Sequence, residues 1–204
     1  MAEPLAFWRC DNRYPHNTQE RYQIGMTYKL LGISGSLRQH STNTRLVKEA
    51  ARLFGDCEFT LANIDVPLYD GDAEKADGVP EAVKLLSDQI AAADAVVIST
   101  PEYNKGPSGA LKNALDWVSR TDGAPWKGKP VAVMSAAAGR AGGERAQMIL
   151  RSFMLPFRPV VLPGPEMHLA DSSNQFDEDG RLTSELYVKT LTELMEGLRS
   201  QAAV

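Results

Sequence analysis

Cysteine and histidine are scarce in this sequence. Its 204 residues include two cysteines and three histidines. Cys10 and Cys57 stand far apart without a CxxC pair, and His16, His40 and His168 are isolated from one another. Neither a disulfide framework nor a cysteine or HExxH zinc site is therefore indicated, and we expect no metal. The expected compartment is a reducing one, the cytoplasm.

Strong net charge and long apolar runs are also missing. The chain carries 22 basic and 26 acidic residues, for a formal net charge of -4. No broad cationic field is present to attract nucleic acid or an anionic membrane, so we expect neither partner. Charged residues interrupt every apolar stretch well before the ~18 residues that a membrane span needs. The length suits a single domain, with or without an appendage.

The first 28 residues differ from the rest of the chain. They show no sustained period of 2 or 3.6, and no apolar core follows a basic start as it would in a secretory signal. We predict an N-terminal extension over residues 1–28 and one domain over residues 29–204. An upstream start and a flexible arm both remain open, because Met26 stands just before the first strand-like run. A chain that begins at Met26 is expected to fold and to keep its activity.

Five short runs predict the strands of a sheet. Three nearly continuous apolar tetrads, at residues 30–33, 95–98 and 131–134, are typical of strands covered on both faces, and residues 159–162 are a weaker fourth. Residues 58–62 alternate apolar and polar side chains instead, which indicates a half-exposed strand at a sheet edge.

Helical patterns separate these runs. Leucine, isoleucine, valine and alanine recur with helical spacing in four segments, which are marked by Leu46, Ala50 and Leu53, by Val83, Leu86 and Ile90, by Leu111, Leu115 and Val118, and by Leu182, Leu186, Leu191, Leu194 and Leu198. This alternation predicts an α/β fold with a parallel, doubly wound sheet between two helical layers. In the strand order 2-1-3-4-5, strands one, three and four are neighbours, and ligands bind beyond their carboxyl ends.

The loop after the first strand, residues 32–43, has the composition of an anion cradle. Gly35 permits a tight turn, hydroxyl and main-chain donors follow it at the start of a helix, and Arg38 adds a full charge. The GK[ST] of a Walker A loop and the GxGxxG of a dinucleotide loop are both absent, and a monophosphate fits this donor set best. Ser41, Thr42 and Asn43 are equally consistent with simple helix capping.

The loops after the third and fourth strands suit a flat ring. Residues 99–109 combine two prolines and two glycines with Tyr103, which offers an aromatic face, and Asn104, which can both donate and accept hydrogen bonds. Residues 135–145 contain small side chains and glycines that let main-chain N–H groups approach a ligand. Ordinary connections could have either composition alone. The predicted strand order, however, brings all three loops to one edge of the sheet.

The same three loops carry a family resemblance. The strings GSLRQHSTN, PEYNKGPSGALKNALDW and SAAAGRAGGERA resemble the three sequence blocks of the NADPH-dependent FMN reductase family, a flavodoxin-like group that includes bacterial quinone, chromate and azo-dye reductases. The similarity runs from about Lys29 to about Leu198 and omits the N-terminal extension. It implies a flavodoxin-like three-layer sandwich with a five-stranded parallel sheet.

The resemblance also implies site residues around an FMN cofactor. Ser36, Arg38, Ser41 and Asn43 would hold the phosphate. Pro101, Glu102, Tyr103 and Asn104 would line the isoalloxazine ring, largely through main-chain groups. Ser135, Gly139 and Gly142 would approach its other edge.

The activity implied is that of an NAD(P)H-dependent oxidoreductase without a catalytic side chain. Hydride would pass from NADPH or NADH to flavin N5, and reducing equivalents onward to a quinone, an azo compound, a metal oxyanion such as chromate, or free flavin. The alternative is a non-enzymatic FMN electron carrier of flavodoxin type, although such carriers are usually more acidic. The resemblance further implies a homodimer or homotetramer, with the helix that carries Asp116 and Trp117 as a contact.

Overall fold

The computed structural model describes residues 27–203, so all but the last two residues of the predicted N-terminal extension lie outside the described range. The strands are β1 (Tyr28–Ser34), β2 (Cys57–Leu61), β3 (Ala95–Thr100), β4 (Pro130–Ala136), β5 (Val160–Val161) and β6 (Met167–Leu169). The helices are α1 (Thr42–Phe54), α2 (Gly71–Asp77), α3 (Glu81–Ala92), α4 (Gly109–Val118), α5 (Glu144–Met154) and α6 (Glu185–Ala202). Short 3₁₀ turns lie at Leu155–Phe157 and Ser172–Asn174.

The sheet has the predicted order, β2-β1-β3-β4-β5, and all its pairings are parallel. Its register brings the carboxyl ends of the three central strands level, since Ser34 pairs with Ser99 and Thr100 pairs with Ser135. The fifth position holds two short strands rather than one, because β5 pairs with the start of β4 and β6 with its end. The loops after β1, β3 and β4 therefore leave the sheet at the same edge.

Helices cover both faces of the sheet, which gives the three layers of a flavodoxin-like fold. One apolar core joins α1 and α6 to the sheet, and the other joins α3, α4 and α5 to its opposite face. All six residues of β3 are buried, as the apolar tetrad predicted. Strand β2 lies at the sheet edge and is only partly covered, which confirms the meaning of its alternating pattern.

Helix α4 confirms the predicted pattern of its side chains. Leu111, Leu115 and Val118 are buried against the sheet. Lys112 and Asp116, four residues apart, form an ion pair with 2.6 Å between Nζ and Oδ1. Trp117 is buried, and its Nε1 donates to the main-chain oxygen of Pro67 at 2.7 Å.

The prediction for the last helix was wrong at its start. Helix α6 begins at Glu185, so Leu182 precedes the helix. Leu182 is nevertheless buried, in a bridge with Phe176 that closes the exposed turn before α6. Leu186 lies in the helix but is 69% exposed, so it is not part of the apolar face. The buried face consists of Leu191, Leu194, Met195, Leu198 and Ala202.

Helix α2 was not predicted. None of its residues is buried, so it has no apolar periodicity that could have indicated a helix. Asp70 caps its first turn by accepting a hydrogen bond from the main-chain nitrogen of Asp72 at 2.8 Å. Within residues 27–203, no helix is long and apolar enough to cross a membrane.

Candidate functional site

A cavity of about 440 Å³ opens at the carboxyl edge of the sheet, where the three loops meet. This volume lies within the range of about 300–1,000 Å³ that small-molecule sites occupy. Seven of the predicted site residues line the cavity: Ser36, Arg38, Ser41, Asn43, Pro101, Glu102 and Tyr103. The other four, Asn104, Ser135, Gly139 and Gly142, lie in the predicted loops but outside its lining.

The loop between β1 and α1 forms the polar end of the cavity. Ser41 caps α1, and its hydroxyl accepts hydrogen bonds from the main-chain nitrogens of Asn43 and Thr44. Among the described residues, the main-chain N–H groups of Leu37, Gln39 and His40 have no acceptor. These unpaired donors lie beside the N-terminus of α1, and together with the helix dipole they suit an anion.

Charge at this end of the cavity has one sign. The cations Arg38 and Arg45 line it beside His40, and the first turn of α1 contains no acidic residue. Cations beside a helix N-terminus oppose the helix dipole, which favours negative charge there. A bound phosphate would remove this conflict.

Asn43 is buried and joins the start of α1, next to the loop after β1, to the central strands β3 and β4. Its Nδ2 donates to the main-chain oxygen of Ala136 at 2.9 Å, and its Oδ1 accepts from the main-chain nitrogen of Ala136 at 3.0 Å and from Ser99 Oγ at 2.8 Å. The amide therefore pairs with the last residue of β4 much as a neighbouring strand would. Its side chain shapes the site and is already engaged within the protein.

Gly35 brings the first loop against the second. Its nitrogen donates to the main-chain oxygen of Ser99 at 2.7 Å, and its own oxygen accepts a short hydrogen bond from Ser108 Oγ. A Cβ at this position would lie 3.2 Å from both Pro101 Cδ and the Cα of Thr100. A side chain on residue 35 would crowd Thr100 and Pro101, so glycine lets the two loops approach each other closely.

The second loop ends in a tight turn that presents Tyr103. Tyr103 and Gly106 exchange main-chain hydrogen bonds of 2.9 and 3.1 Å around Asn104 and Lys105. Both central residues have positive φ, at 51° and 69°, a conformation that asparagine tolerates well. The turn accounts for Asn104 by backbone conformation, and it leaves the Tyr103 side chain 51% exposed at the cavity.

Glu102 links the second loop to the third. Its carboxylate Oε2 accepts a hydrogen bond from the main-chain nitrogen of Ala146, in the first turn of α5, at 3.2 Å. Its Oε1 lies 3.6 Å from Lys105 Nζ, and the Glu102 side chain is 13% exposed. Glu102 thus fastens the second loop to the start of α5, where the third loop ends.

The third loop is folded tightly onto the sheet. Gly142 and Gly143 have φ of 60° and 91°, and a Cβ on Gly142 would lie 2.5 Å from the carbonyl carbon of His168. Ser135 is fully buried and donates to the main-chain oxygen of Gly142 at 2.6 Å. These residues set the path of the loop, whereas Gly139 stands in open space.

A fourth segment, which the sequence did not indicate, completes the lining. Ser172 and Ser173 follow β6, and Ser172 Oγ lies 2.9 Å from Thr42 Oγ1 in the cradle. The prediction ended the fifth strand at Leu162 and missed β6, so it did not place the following turn at the sheet edge. His40 and Arg45 were also missed as lining, and in the third loop it is residues 136–138, rather than the named Ser135, Gly139 and Gly142, that line the cavity. Within residues 27–203, no group of three metal-ligating side chains could hold a metal ion.

Comparison with known proteins agrees with this geometry. The family model described as NADPH-dependent FMN reductase matches residues 28–173. The chain belongs to this family. A NAD(P)H-dependent FMN reductase of Pseudomonas aeruginosa is 41% identical over 173 residues, which cover 84% of this chain and 93% of that protein. A quinone reductase of Escherichia coli is 37% identical over 152 residues, or 73% of this chain and 81% of that protein.

A solved structure shares the fold over the same region. It is the flavoenzyme NAD(P)H:(acceptor) oxidoreductase FerB from Paracoccus denitrificans, with a TM-score of 0.78 and 36% identity, covering 86% of this chain and 97% of that one. The chain is accordingly an oxidoreductase of the FMN reductase family, with FMN as cofactor and NAD(P)H as co-substrate. The donor-rich cavity fits such a cofactor in both size and charge.

Proposed function

We propose that the protein reduces quinones with electrons from NADPH or NADH, at a single open site above the carboxyl edge of the sheet. The observation that carries this proposal is the asymmetry of the cavity, which is rich in cations and N–H donors at one end and bordered by the exposed Tyr103 and small residues at the other. Azo compounds, chromate and free flavin are further candidate acceptors. The low cysteine content supports a cytoplasmic location.

The proposed cofactor site divides along the same axis. Ser36, Arg38 and the free N–H groups of the first loop bind the phosphate, with Ser41 and Asn43 holding that loop in place. Pro101, Glu102 and Tyr103 lie along the ring, the turn at Asn104 positions Tyr103, and the loop shaped by Ser135, Gly139 and Gly142 lies at the other edge. When bound, FMN supplies the redox chemistry by accepting a hydride from the nicotinamide and passing electrons to the acceptor. The protein's part is to orient the two planar reactants in turn on one exposed face.

Turnover of the FMN-loaded protein tests this function. NADPH or NADH oxidation is followed with benzoquinone, an azo dye, chromate or free FMN as acceptor. We expect quinone-dependent oxidation with parallel initial-rate lines, because nicotinamide and quinone occupy the same site in succession. Intersecting lines would contradict the shared site, and an FMN-loaded protein that does not oxidise NAD(P)H would indicate an electron carrier instead.

Arg38 tests the phosphate end of the site. Removal of a charged hydrogen bond costs about 1.5–3 kcal/mol, so Arg38→Ala is expected to weaken FMN binding by about 10- to 150-fold. Riboflavin, which lacks the phosphate, should bind both proteins equally. Lys48→Ala is the matched control, since Lys48 is exposed on α1 but does not line the cavity. Equal loss of FMN and riboflavin affinity in Arg38→Ala would place the phosphate elsewhere.

We also infer a homodimer or homotetramer. Leu68 is 84% exposed in the segment that packs against α4 through the Trp117–Pro67 hydrogen bond. Trp117 itself is buried, so Leu68 and the exposed side of α4 are the proposed contact. Light scattering of the wild type and of Leu68→Asp measures the oligomeric state, and a monomeric wild type would refute the inference.

A further inference from the structure

Helix α5 begins without an N-cap side chain of its own. Its N-cap residue is Gly143, which has no side-chain acceptor, and the first turn contains only one acidic residue, Glu144, which is exposed. The acceptor comes instead from 44 residues earlier in the chain, because Glu102 Oε2 binds the main-chain nitrogen of Ala146 at 3.2 Å. Glu102 therefore caps α5 from the loop that follows β3.

Because the Glu102 carboxylate is mostly buried, solvent screens its negative charge only weakly. The Glu102 side chain is 13% exposed and lines the cavity, whereas the nearby Lys105 is 69% exposed and its Nζ lies 3.6 Å from Glu102 Oε1. Arg140 and Arg145 flank the start of α5 but are exposed. Solvent screens these cations more strongly than it screens a carboxylate held inside the fold.

The capping geometry also changes what the helix offers to a ligand. A helix N-terminus carries about half a positive charge, which favours a nearby anion. Here Glu102 takes up that positive end, and it adds a negative charge on the side where the ring is proposed to lie. The site therefore has its positive charge concentrated at the phosphate end, around Arg38 and Arg45, and not at the ring end.

We propose that Glu102 is a positioning residue that lowers the reduction potential of the bound FMN. This inference rests on the proposed function, because it takes the ring to lie along residues 101–103. Reduced FMN carries more negative charge on its ring than oxidised FMN, so a fixed carboxylate beside the ring opposes reduction. A lower potential makes the reduced cofactor a stronger donor to quinones. The carboxylate acts through its charge and through the hydrogen bond to Ala146, without contact with a reacting atom.

Glu102→Gln separates charge from shape. The glutamine oxygen can still accept the hydrogen bond from Ala146, while the negative charge is lost. In the FMN-loaded variant we expect the affinity for reduced FMN, relative to oxidised FMN, to rise about tenfold. For this two-electron couple, a tenfold change equals a rise in midpoint potential of about 30 mV. The potential is measured by equilibration with a reference dye, and FMN titration gives the affinity for the oxidised form.

Glu144→Gln is the matched control. Glu144 lies in the first turn of α5, close to the atom that Glu102 caps, but it is exposed, and its substitution also removes one negative charge. We expect the ratio of the two affinities to change by less than about threefold, because solvent screens an exposed terminal charge. Glu102→Ala removes both the charge and the cap, so it should also weaken the binding of oxidised FMN, which Glu102→Gln should retain.

The outcomes separate this inference from the proposed function. An unchanged potential in Glu102→Gln, or an equal shift in Glu144→Gln, would overturn the role of Glu102 while wild-type quinone turnover still stood. Wild-type protein that binds FMN but fails to oxidise NAD(P)H would overturn the proposed function, and the potential of Glu102→Gln could still be measured. A circular dichroism spectrum and an unfolding curve for each variant verify that the fold is intact.

Discussion

At the scale of single residues, Asn43 shows how one buried side chain can hold together the parts of a binding site. Its amide satisfies both main-chain groups of Ala136 and the hydroxyl of Ser99. Residues 136–138 line the cavity directly after this point. Asn43 therefore ties the position of that wall to the start of α1 and the loop after β1.

Asn43→Ala tests this role through stability. The substitution leaves the N–H and C=O of Ala136 and the hydroxyl of Ser99 without the bonds that Asn43 supplies, and each unsatisfied buried group costs about 1–3 kcal/mol. We expect the free energy of unfolding in urea to fall by about 2–4 kcal/mol. Asn63→Ala is the control, because Asn63 is exposed and accepts only a local bond from the nitrogen of Asp65. Similar urea midpoints for the two variants would contradict the assignment.

Sequence alone could place Asn43 in the site but could not show its contacts. Its partners are 56 and 93 residues away, and nothing near Asn43 in the chain identifies them. Arg38 lies in the cavity lining as its place in the loop after β1 predicted, whereas its contact with the phosphate stays a prediction. The capping role of Glu102 was missed because it depends on how two separate loops pack.

At the scale of elements, the third loop owes its path to two glycines rather than to its small side chains in general. A Cβ on Gly142 would lie 2.5 Å from the carbonyl carbon of His168, and its φ of 60° is unfavourable for other residues. Nothing lies within 4 Å of a Cβ on Gly139 in the same loop. Alanine substitutions at Gly142 and Gly139 therefore differ in steric fit, although each adds the same methyl group to the same loop.

Gly142→Ala is expected to lower the free energy of unfolding by about 2 kcal/mol or more, because the added methyl group displaces the loop from β6. Gly139→Ala should change it by less than about 0.5 kcal/mol. Urea unfolding of the cofactor-free proteins measures both, so that FMN affinity does not enter. Equal losses of unfolding free energy in the two variants would show that the contact between residue 142 and His168 is not the cause of the destabilisation.

A surface cluster fixes the connection between β2 and α3. Glu74 on α2 accepts hydrogen bonds from Arg120 Nε at 2.9 Å and from the hydroxyl of Tyr69 at 2.9 Å. The Arg120 hydrogen bond is the main cause that lowers the pKa of Glu74, whereas the bond to Glu74 raises the pKa of Tyr69. Tyr69 also packs edge-on against Trp117, with 5.0 Å between the ring centroids.

The lowered pKa of Glu74 predicts a pH dependence with a definite sign. Glu74 takes up a proton more readily in the unfolded chain than in the folded protein, because its pKa is lower in the folded protein. The cluster therefore stabilises the fold at pH values above the ordinary glutamate pKa of 4.5. That contribution is lost as the pH falls through the lower pKa of the folded state. The difference in urea midpoint between wild type and Glu74→Gln should therefore be largest near neutral pH and should shrink below pH 4.5.

Glu81→Gln provides the comparison, because Glu81 and its partner Lys84 are both exposed. We expect this variant to unfold at nearly the wild-type urea concentration at neutral pH. A Glu74→Gln difference that stays constant from neutral to acid pH would show that the ion pair with Arg120 contributes nothing.

The elements that were predicted are those with buried apolar faces. The tetrads at residues 95–98 and 131–134 lie in strands buried on both sides, and burial is what makes such strands visible in a sequence. Helix α2 buries nothing and β6 has only three residues, so neither showed a period that could be recognised. Strand β5 has only two residues, but it lies within the apolar run at residues 159–162 that predicted it. Leu182 was mistaken for a helix residue because it is buried, although a turn and not a helix places it in the core.

At the scale of the whole molecule, the two apolar cores of the described part of the chain run from Tyr28 to Ala203. We therefore predict that a chain beginning at Met26 folds and keeps quinone-dependent NAD(P)H oxidation, because every strand and helix of these cores is retained. Soluble yield, the urea midpoint and the turnover rate of the shortened chain are compared with those of the full chain. Insoluble protein, or a loss of activity at full FMN occupancy, would show that residues 1–25 contribute to the fold or to the site.

The divided fifth position of the sheet has a consequence for the behaviour of the protein in concentrated solution. An edge strand with a long row of unpaired main-chain groups is a template for a strand of another molecule. Here the outer side of β4 is covered by two strands of two and three residues, separated by residues 162–166. Neither piece is long enough to recruit a neighbouring strand. The interruption therefore makes this edge of the sheet a poor template for a strand of another molecule, in addition to bringing Ser172 and Ser173 to the cavity.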